Sequence, residues 1–305
     1  MSSKIIFSLF SILLLVLVAN GQHKVDYDQV DTEITNHYKD YEYLSKKRPG
    51  YYLEVNNQNC YYDIRMNDGP TGLYYDEFPA YSVRLPINLS ILKSGEQKLS
   101  IKIFPFQGDT LSAKANLQLR LMRYSDMTDM ENDFSGSTVL WEWNMPDVGS
   151  QKLPIFAFDT VFEADVPYNL EIFDLYATDL SEMDKKDLLA QVVTEFTNKR
   201  DSVINRSQDR DYLLRHVKRA LVQIYPDDQL LNETVDGMLI LGEGKIPQPL
   251  EDFELQLYYN NKLATLVRRK NKEATIWFEN EEKTSISFQP YYIFKHKETG
   301  TWHMW

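Results

Sequence analysis

Four carboxylates crowd the segment Asp126-Met127-Thr128-Asp129-Met130-Glu131-Asn132-Asp133. Hard cations such as calcium are held by several such oxygens, which makes Asp126, Asp129, Glu131 and Asp133 the candidate metal ligands. A calcium loop also needs a glycine at its sixth position to turn sharply. Phe134 stands there and Gly136 comes two residues later, so a solvated acidic loop is the simpler reading.

The other familiar chemistries leave less trace. No Gly-x-Ser-x-Gly elbow is present, and no Ser-x-x-Lys opens a helical pattern. Covalent catalysis is therefore not expected. Zinc of the usual kinds needs His-Glu-x-x-His or paired cysteines, and the chain has neither. Its one cysteine, Cys60, lies in the strand-like run Cys60-Tyr61-Tyr62-Asp63-Ile64, where a buried apolar role suits it best. His296 and His303 fall on either side of a hairpin around Lys297–Gly300 and read as two surface imidazoles. Glycoside hydrolysis takes two opposed carboxylates, but among 45 acidic residues spacing alone selects no pair. No cofactor is expected.

Aromatic side chains carry the remaining signal. Trp141 and Trp143 are two apart, hence on one face of a strand, with Glu142 on the other. Tyr74-Tyr75-Asp76-Glu77-Phe78 mixes rings and acids in an expected loop. Rings beside carboxylates suit sugar stacking or protein hot spots, so Tyr74, Tyr75, Asp76, Glu77, Trp141 and Trp143 are the binding candidates. Against this, the tryptophans could simply fill a core, and Tyr74 and Tyr75 could be buried as readily as exposed.

These residues must be positioned by two kinds of element. From Tyr51 to about Tyr176 the hydrophobic period is two, as in Leu99/Ile101/Ile103 and Leu117/Leu119/Leu121. Asn67-Asp68-Gly69-Pro70 and Ser94-Gly95 read as turns, the second joining strands at Ile87–Leu92 and Lys98–Phe104. Short strands without intervening helices predict an antiparallel β-sandwich over 51–179, after a lead-in at 22–50. From 180 the pattern becomes helical. Ser181 with Asp184 is the expected cap, and Leu189, Val192, Val193 and Phe196 form an apolar face. A second helix is expected over about 208–224, with Pro226 ending it. Period two returns after Gly237. The fold class expected is mostly β with α+β: the sandwich, then a two-helix plus antiparallel-meander α+β domain over 180–305.

Composition bounds the function. Lys4, an apolar run from Ile5 to Ala19 and the small residues Ala19 and Gly21 have the order of a cleavable export signal over 1–21, with the cut before Gln22. The run is shorter than the roughly 20 residues a membrane span needs. Without a disulfide partner for Cys60, a periplasmic or cell-surface setting is expected, with no transmembrane segment in the mature chain. A net charge of −12 disfavours nucleic acid and suits basic partners. Asn88-Leu-Ser90, Asn205-Arg-Ser207 and Asn232-Glu-Thr234 match the glycosylation sequon. The expected function is an exported, non-enzymatic binding protein for a protein or glycan partner, one version being an immunity-type inhibitor. The alternatives are a carbohydrate-binding or carbohydrate-active surface protein and a structural component of the cell envelope.

Overall fold

The computed structural model describes residues 41–128 and 136–305. The expected export signal, together with Asp129, Glu131 and Asp133, lies outside them.

Eight strands form the first half: β1 Gly50–Gln58, β2 Cys60–Met66, β3 Gly69–Tyr74, β4 Ala80–Pro86, β5 Lys93–Pro105, β6 Asn116–Tyr124, β7 Ser137–Asn144 and β8 Phe156–Asn169. They make two antiparallel sheets, ordered β4-β1-β6-β7 and β3-β2-β5-β8. Alternation decides what each strand buries. Leu53 and Val55 of β1 with Leu117, Leu119 and Leu121 of β6 meet Ile64 of β2 and Leu99, Ile101 and Ile103 of β5 in one core. The expected sandwich is thus present. The β2–β3 turn takes positive φ at Asn67 and Asp68, 51° and 60°, the conformation that tight antiparallel hairpins require. Cys60 is buried, and burial pushes its thiol up to about 11.

Two local expectations fail. Residues Asn88–Ser90 form a single 3-10 turn, and β5 begins at Lys93, so Ser94-Gly95 lies inside a bulged strand. The reason is Asn88. Its buried amide accepts from Tyr51 N at 2.5 Å and donates to Pro49 O at 2.9 Å and Gln223 O at 3.1 Å. Those bonds bend the chain away from the extended form. They also seal the first sequon within the folded molecule.

The second half holds α1 Ile172–Tyr176, α2 Lys185–Ile204, α3 Arg210–Ala220 and α4 Asp228–Leu239. Strands β9 Ile246–Pro247, β10 Phe253–Tyr258, β11 Leu263–Arg268, β12 Ile276–Glu279, β13 Ile286–Gln289, β14 Ile293–Lys295 and β15 Trp302–Met304 follow. They form sheets β10-β11-β14-β15 and β13-β12-β9. The α2 cap is Asp184 itself, accepting from Lys186 N and Asp187 N, while Asp179 caps the preceding turn through Ser181 N. The buried stripe of α2 is Leu188, Val192, Phe196 and Val203, lying on Ala264, Leu266 and Ile276. Leu189 faces outward. Helix α4 was not expected. Its Asn, Thr and Gly residues are poor helix formers, but Asp227 caps it through Leu230 N and Leu231 and Val235 pack on α3. No helix among the described residues is long and apolar enough to cross a membrane.

The two halves meet along a seam of hydrogen bonds and rings. Tyr43 Oη donates to Val222 O and Gln223 Nε2 to Leu89 O. Arg65 reaches Leu257 O at 3.3 Å and lies over the Tyr258 ring. Gly69 sits so close to Tyr259 that a Cβ there would stand 2.4 Å from its hydroxyl. The apolar core runs on through the seam to include Tyr258, Tyr259 and Phe294.

Replacing Asn88 by Ala should strand one donor, Tyr51 N, and one acceptor, Gln223 O, while Pro49 O keeps its bond from Tyr225 Oη, and cost about 2–4 kcal/mol. Urea denaturation of the full chain measures it. A loss under about 1 kcal/mol would show that water replaces the amide.

Candidate functional site

Strands β7 and β8 are the outer strands of the two sheets on one side of the sandwich, and among the described residues neither pairs beyond β6 and β5. The alternation of both strands sends rings into the gap between them. Trp143 stacks on Phe158 at 4.1 Å between centroids and 28° between planes. Trp141 lies 6.5 Å from Phe158, and Phe156 lies 6.2 Å from Trp143. All four are half-buried. On the same two strands Val139, Leu140, Ile155 and Val161 are exposed, Val161 to 54%; Val161 alternates with Thr160 and Phe162 and so lies on the outer face with Asp159 and Glu163, not on the ring side. The edge therefore has half-buried rings on its inner side and exposed aliphatic side chains on its outer side.

Backbone availability narrows it further. The end of β8 is already occupied: Leu44 N donates to Pro167 O, Asp165 N to the Tyr51 hydroxyl and Asn169 N to the Tyr41 hydroxyl. Among the described residues the stretch Phe156–Glu163 pairs with β5 on one side only. Carboxylates flank it. Asp159 is held below the usual carboxylate range by Lys98, 2.8 Å away, with help from Ser100. Glu163 beside Val161 and Glu142 of β7 are exposed.

The outer face of the other sheet is polar. Directly opposed residues alternate in charge from Arg84 to Glu54, Arg120 and Glu142, with contacts of 2.9, 3.8 and 2.7 Å. The Arg84 hydrogen bond holds the Glu54 carboxyl below its ordinary range. The next row is Ser82, Asn56, Gln118 and Asn144. A depression of about 250 Å³ lies over these rows.

The sequence-selected residues part company here. Trp141 and Trp143 share a face as expected, turned toward the core and half-buried. Tyr74 is buried between Tyr62 and Tyr81, with its hydroxyl donating to Phe78 O. Tyr75 is half-buried against Tyr61, 5.2 Å away, where the Asp63 and Glu254 carboxylates add to burial in raising its phenol. Asp76 and Glu77 remain exposed. The expected ring-and-acid loop is thereby divided between core, seam and solvent. Asp126 is spent on Thr128, accepting from its N and hydroxyl. Among the described residues no cluster of three or more His, Cys, Asp or Glu could hold a metal. Sequence reasoning missed Val139, Leu140, Ile155 and Val161, whose signal was apolar residues at positions where alternation calls for polar ones.

The two histidines do face each other, 6.1 Å between ring centres, but both are buried. His303 shares a 2.7 Å hydrogen bond with Thr301, and His296 accepts from Thr299 N. Burial, then the His296 and Arg219 charges, push His303 down to about 4. A 260 Å³ cavity at the seam is lined by Lys93, Glu171, Asp174 and Lys262, whose ammonium groups pair with Glu171 and Asp174.

No protein-family model matches the chain, and no curated protein or solved structure matches it either.

Two predictions follow from this geometry. Truncating Trp143 to Ala should cost about 2–3 kcal/mol, because a half-buried stacked ring is lost, whereas Val161→Lys should stay within about 0.5 kcal/mol. Equal effects in urea melts would contradict the assigned burial. His303 is held neutral in the fold and has an ordinary value of about 6.5 in the unfolded chain. Below 6.5 the unfolded chain therefore takes up more protons, and stability present at pH 7 is lost as pH falls toward 4. Urea midpoints at pH 7 and 5 should differ, and His303→Gln should reduce the difference.

Proposed function

We propose that this chain is an exported protein-binding module that receives an extended segment of a basic polypeptide along β8. The observation that carries this reading is the pairing of Phe156–Glu163 on one side only among the described residues, beside the half-buried rings of Trp141, Trp143, Phe156 and Phe158, with Val161 exposed on the same strand. An open strand edge offers N–H and C=O groups to an added strand, and alternate side chains then enter the flanking apolar gap. Aromatic rings at the centre of such a patch supply the anchor. Asp159, Glu163 and Glu142, with the chain's net charge of −12, favour a cationic occupant and speed its encounter. An immunity-type inhibitor of a basic protein is one form this activity would take.

Selection of a displayed peptide library against the full chain tests the proposal. Lysine- and arginine-rich, strand-forming peptides should be enriched, and the bound peptide should slow hydrogen exchange in Phe156–Glu163. Val161→Asp and Leu140→Asp should each weaken binding by about tenfold or more, or roughly 1.4 kcal/mol, with melting temperature unchanged. Raised salt should weaken it too. Protection confined to another surface, or an enriched set without basic residues, would overturn the reading.

The carbohydrate reading has one observation behind it, the amide and charge rows around Glu54, Asn56, Gln118, Arg120 and Asn144. Those groups suit sugar hydroxyls, but the nearby Trp143 turns its ring to the opposite face.

A further inference from the structure

A separate cavity of about 330 Å³ lies between α2, α3 and the C-terminal strands, with Glu195, Lys199, Gln208, Tyr212 and Tyr291 on its walls. That volume is at the lower end of small-molecule sites. Lys199 lies three residues beyond Phe196 and seven beyond Val192, so it rises from the inward stripe of α2. Its Nζ donates to Gln208 Oε1 at 2.7 Å and stands 6.0 Å from the Tyr291 ring centre. Glu195 is one turn earlier, at the spacing where glutamate and lysine commonly pair on a helix. Here they form no ion pair, and the ammonium turns to a neutral amide instead.

None of the groups lining the cavity forms an ion pair with Lys199. Burial raises the Glu195 carboxyl above its ordinary range. Asp209 is engaged as the α3 cap, accepting from Tyr212 N. His216 of α3 is held neutral by burial and so adds no second positive charge, and burial pushes up the Tyr291 phenol, which supplies no anion. Burial accordingly lowers the Lys199 ammonium to about 8. Such a lysine carries on the order of a hundredfold more free amine at neutral pH than an exposed one. A desolvated lysine in a small cavity is the arrangement that serves imine chemistry.

We propose that this cavity is a covalent carbonyl site, in which Lys199 takes a small aldehyde or ketone as an imine. The Nζ lone pair adds to the carbonyl carbon, and the carbonyl π pair moves to oxygen. Proton transfer from nitrogen to that oxygen gives a neutral carbinolamine. Protonation by the Glu195 carboxyl then lets the oxygen leave as water while the nitrogen lone pair forms C=N. Loss of the last N–H proton restores Glu195, so one water is released and nothing is oxidised or reduced. The rings of Tyr212 and Tyr291 favour a flat, apolar carbonyl compound over a charged one.

The test is reductive trapping on the full chain. Benzaldehyde and cyanoborohydride are added over a range of aldehyde concentrations and pH, and labelled lysines are mapped by peptide mass spectrometry. Lys199 should label about tenfold or more faster than exposed lysines, a margin below its free-amine advantage because a less basic amine is a weaker nucleophile. Its rate should rise through pH 8 and saturate with aldehyde. Glu195→Gln should slow labelling several-fold at an unchanged melting temperature, and Lys199→Met should reduce labelling to the exposed-lysine background. Labelling of Lys199 no faster than that background, or a rate strictly linear in aldehyde, would overturn the proposal.

Discussion

The buried amide of Asn88 is the contact on which the arrangement of the molecule rests. It holds three backbone groups at once, Pro49 O and Tyr51 N around the start of β1 and Gln223 O, 135 residues further along the chain. A primary amide is suited to this because it offers two donors and an acceptor in fixed directions without a charge to desolvate. Apolar packing alone would bring the halves together but would tolerate sliding. Directional bonds between groups that cannot be left unpaired set a register. Around the hub, Tyr43, Tyr225 and Gln223 add further bonds across the same joint, with Tyr225 Oη donating to Pro49 O.

That joint has a consequence for what stays open. Parts of β2 and β3 lie under the second half, where Arg65, Asp68 and Gly69 meet Leu257, Tyr258 and Tyr259. The opposite side of the sandwich receives no such cover from the described residues. Of β8, the lead-in at Tyr41–Leu44 reaches only the end. One end of that strand is therefore capped by the chain itself, and among the described residues the Phe156–Glu163 stretch has an unused edge beside the Trp143–Phe158 stack. The site is a product of how the two halves join rather than of any local motif.

This explains which parts were legible from sequence. Leu99/Ile101/Ile103 and Leu117/Leu119/Leu121 announced their strands because alternation is a local property. Asn67-Asp68 announced its turn for the same reason. Asn88 did not: as part of Asn-Leu-Ser it looked like a surface sequon, and its bonding partners lie far away in sequence. Helix α4 was hidden because its stabilisation comes from packing on α3 and from the Asp227 cap, against weak intrinsic propensity. The split of Tyr74 from Tyr75 follows from a strand end, where neighbouring side chains point to opposite faces. Trp141 and Trp143 could be placed on one face, but that Phe158 meets them depends on which two strands end up as edges. The outward Val139, Leu140 and Val161 were visible as breaks in alternation, and only the sheet order gives those breaks meaning.

An exposed apolar strand edge invites pairing with a second copy, and the charges along β8 bear on that. Antiparallel self-pairing centred on Val161 would set Asp159 of one copy opposite Glu163 of the other, twice. Like charges directly opposed across strands are destabilising, and charged side chains are a usual means of keeping edges from self-association. Lys98 offsets part of the Asp159 charge, but it reaches from the β5 side and leaves Glu163 without a cation of its own in the row, where Glu96 is its β5 neighbour. The same carboxylates meet no such repulsion from lysine or arginine. Under the proposed function the edge would therefore discriminate: the backbone would accept any extended strand, while the acidic flanks would disfavour this chain's own and favour a basic one.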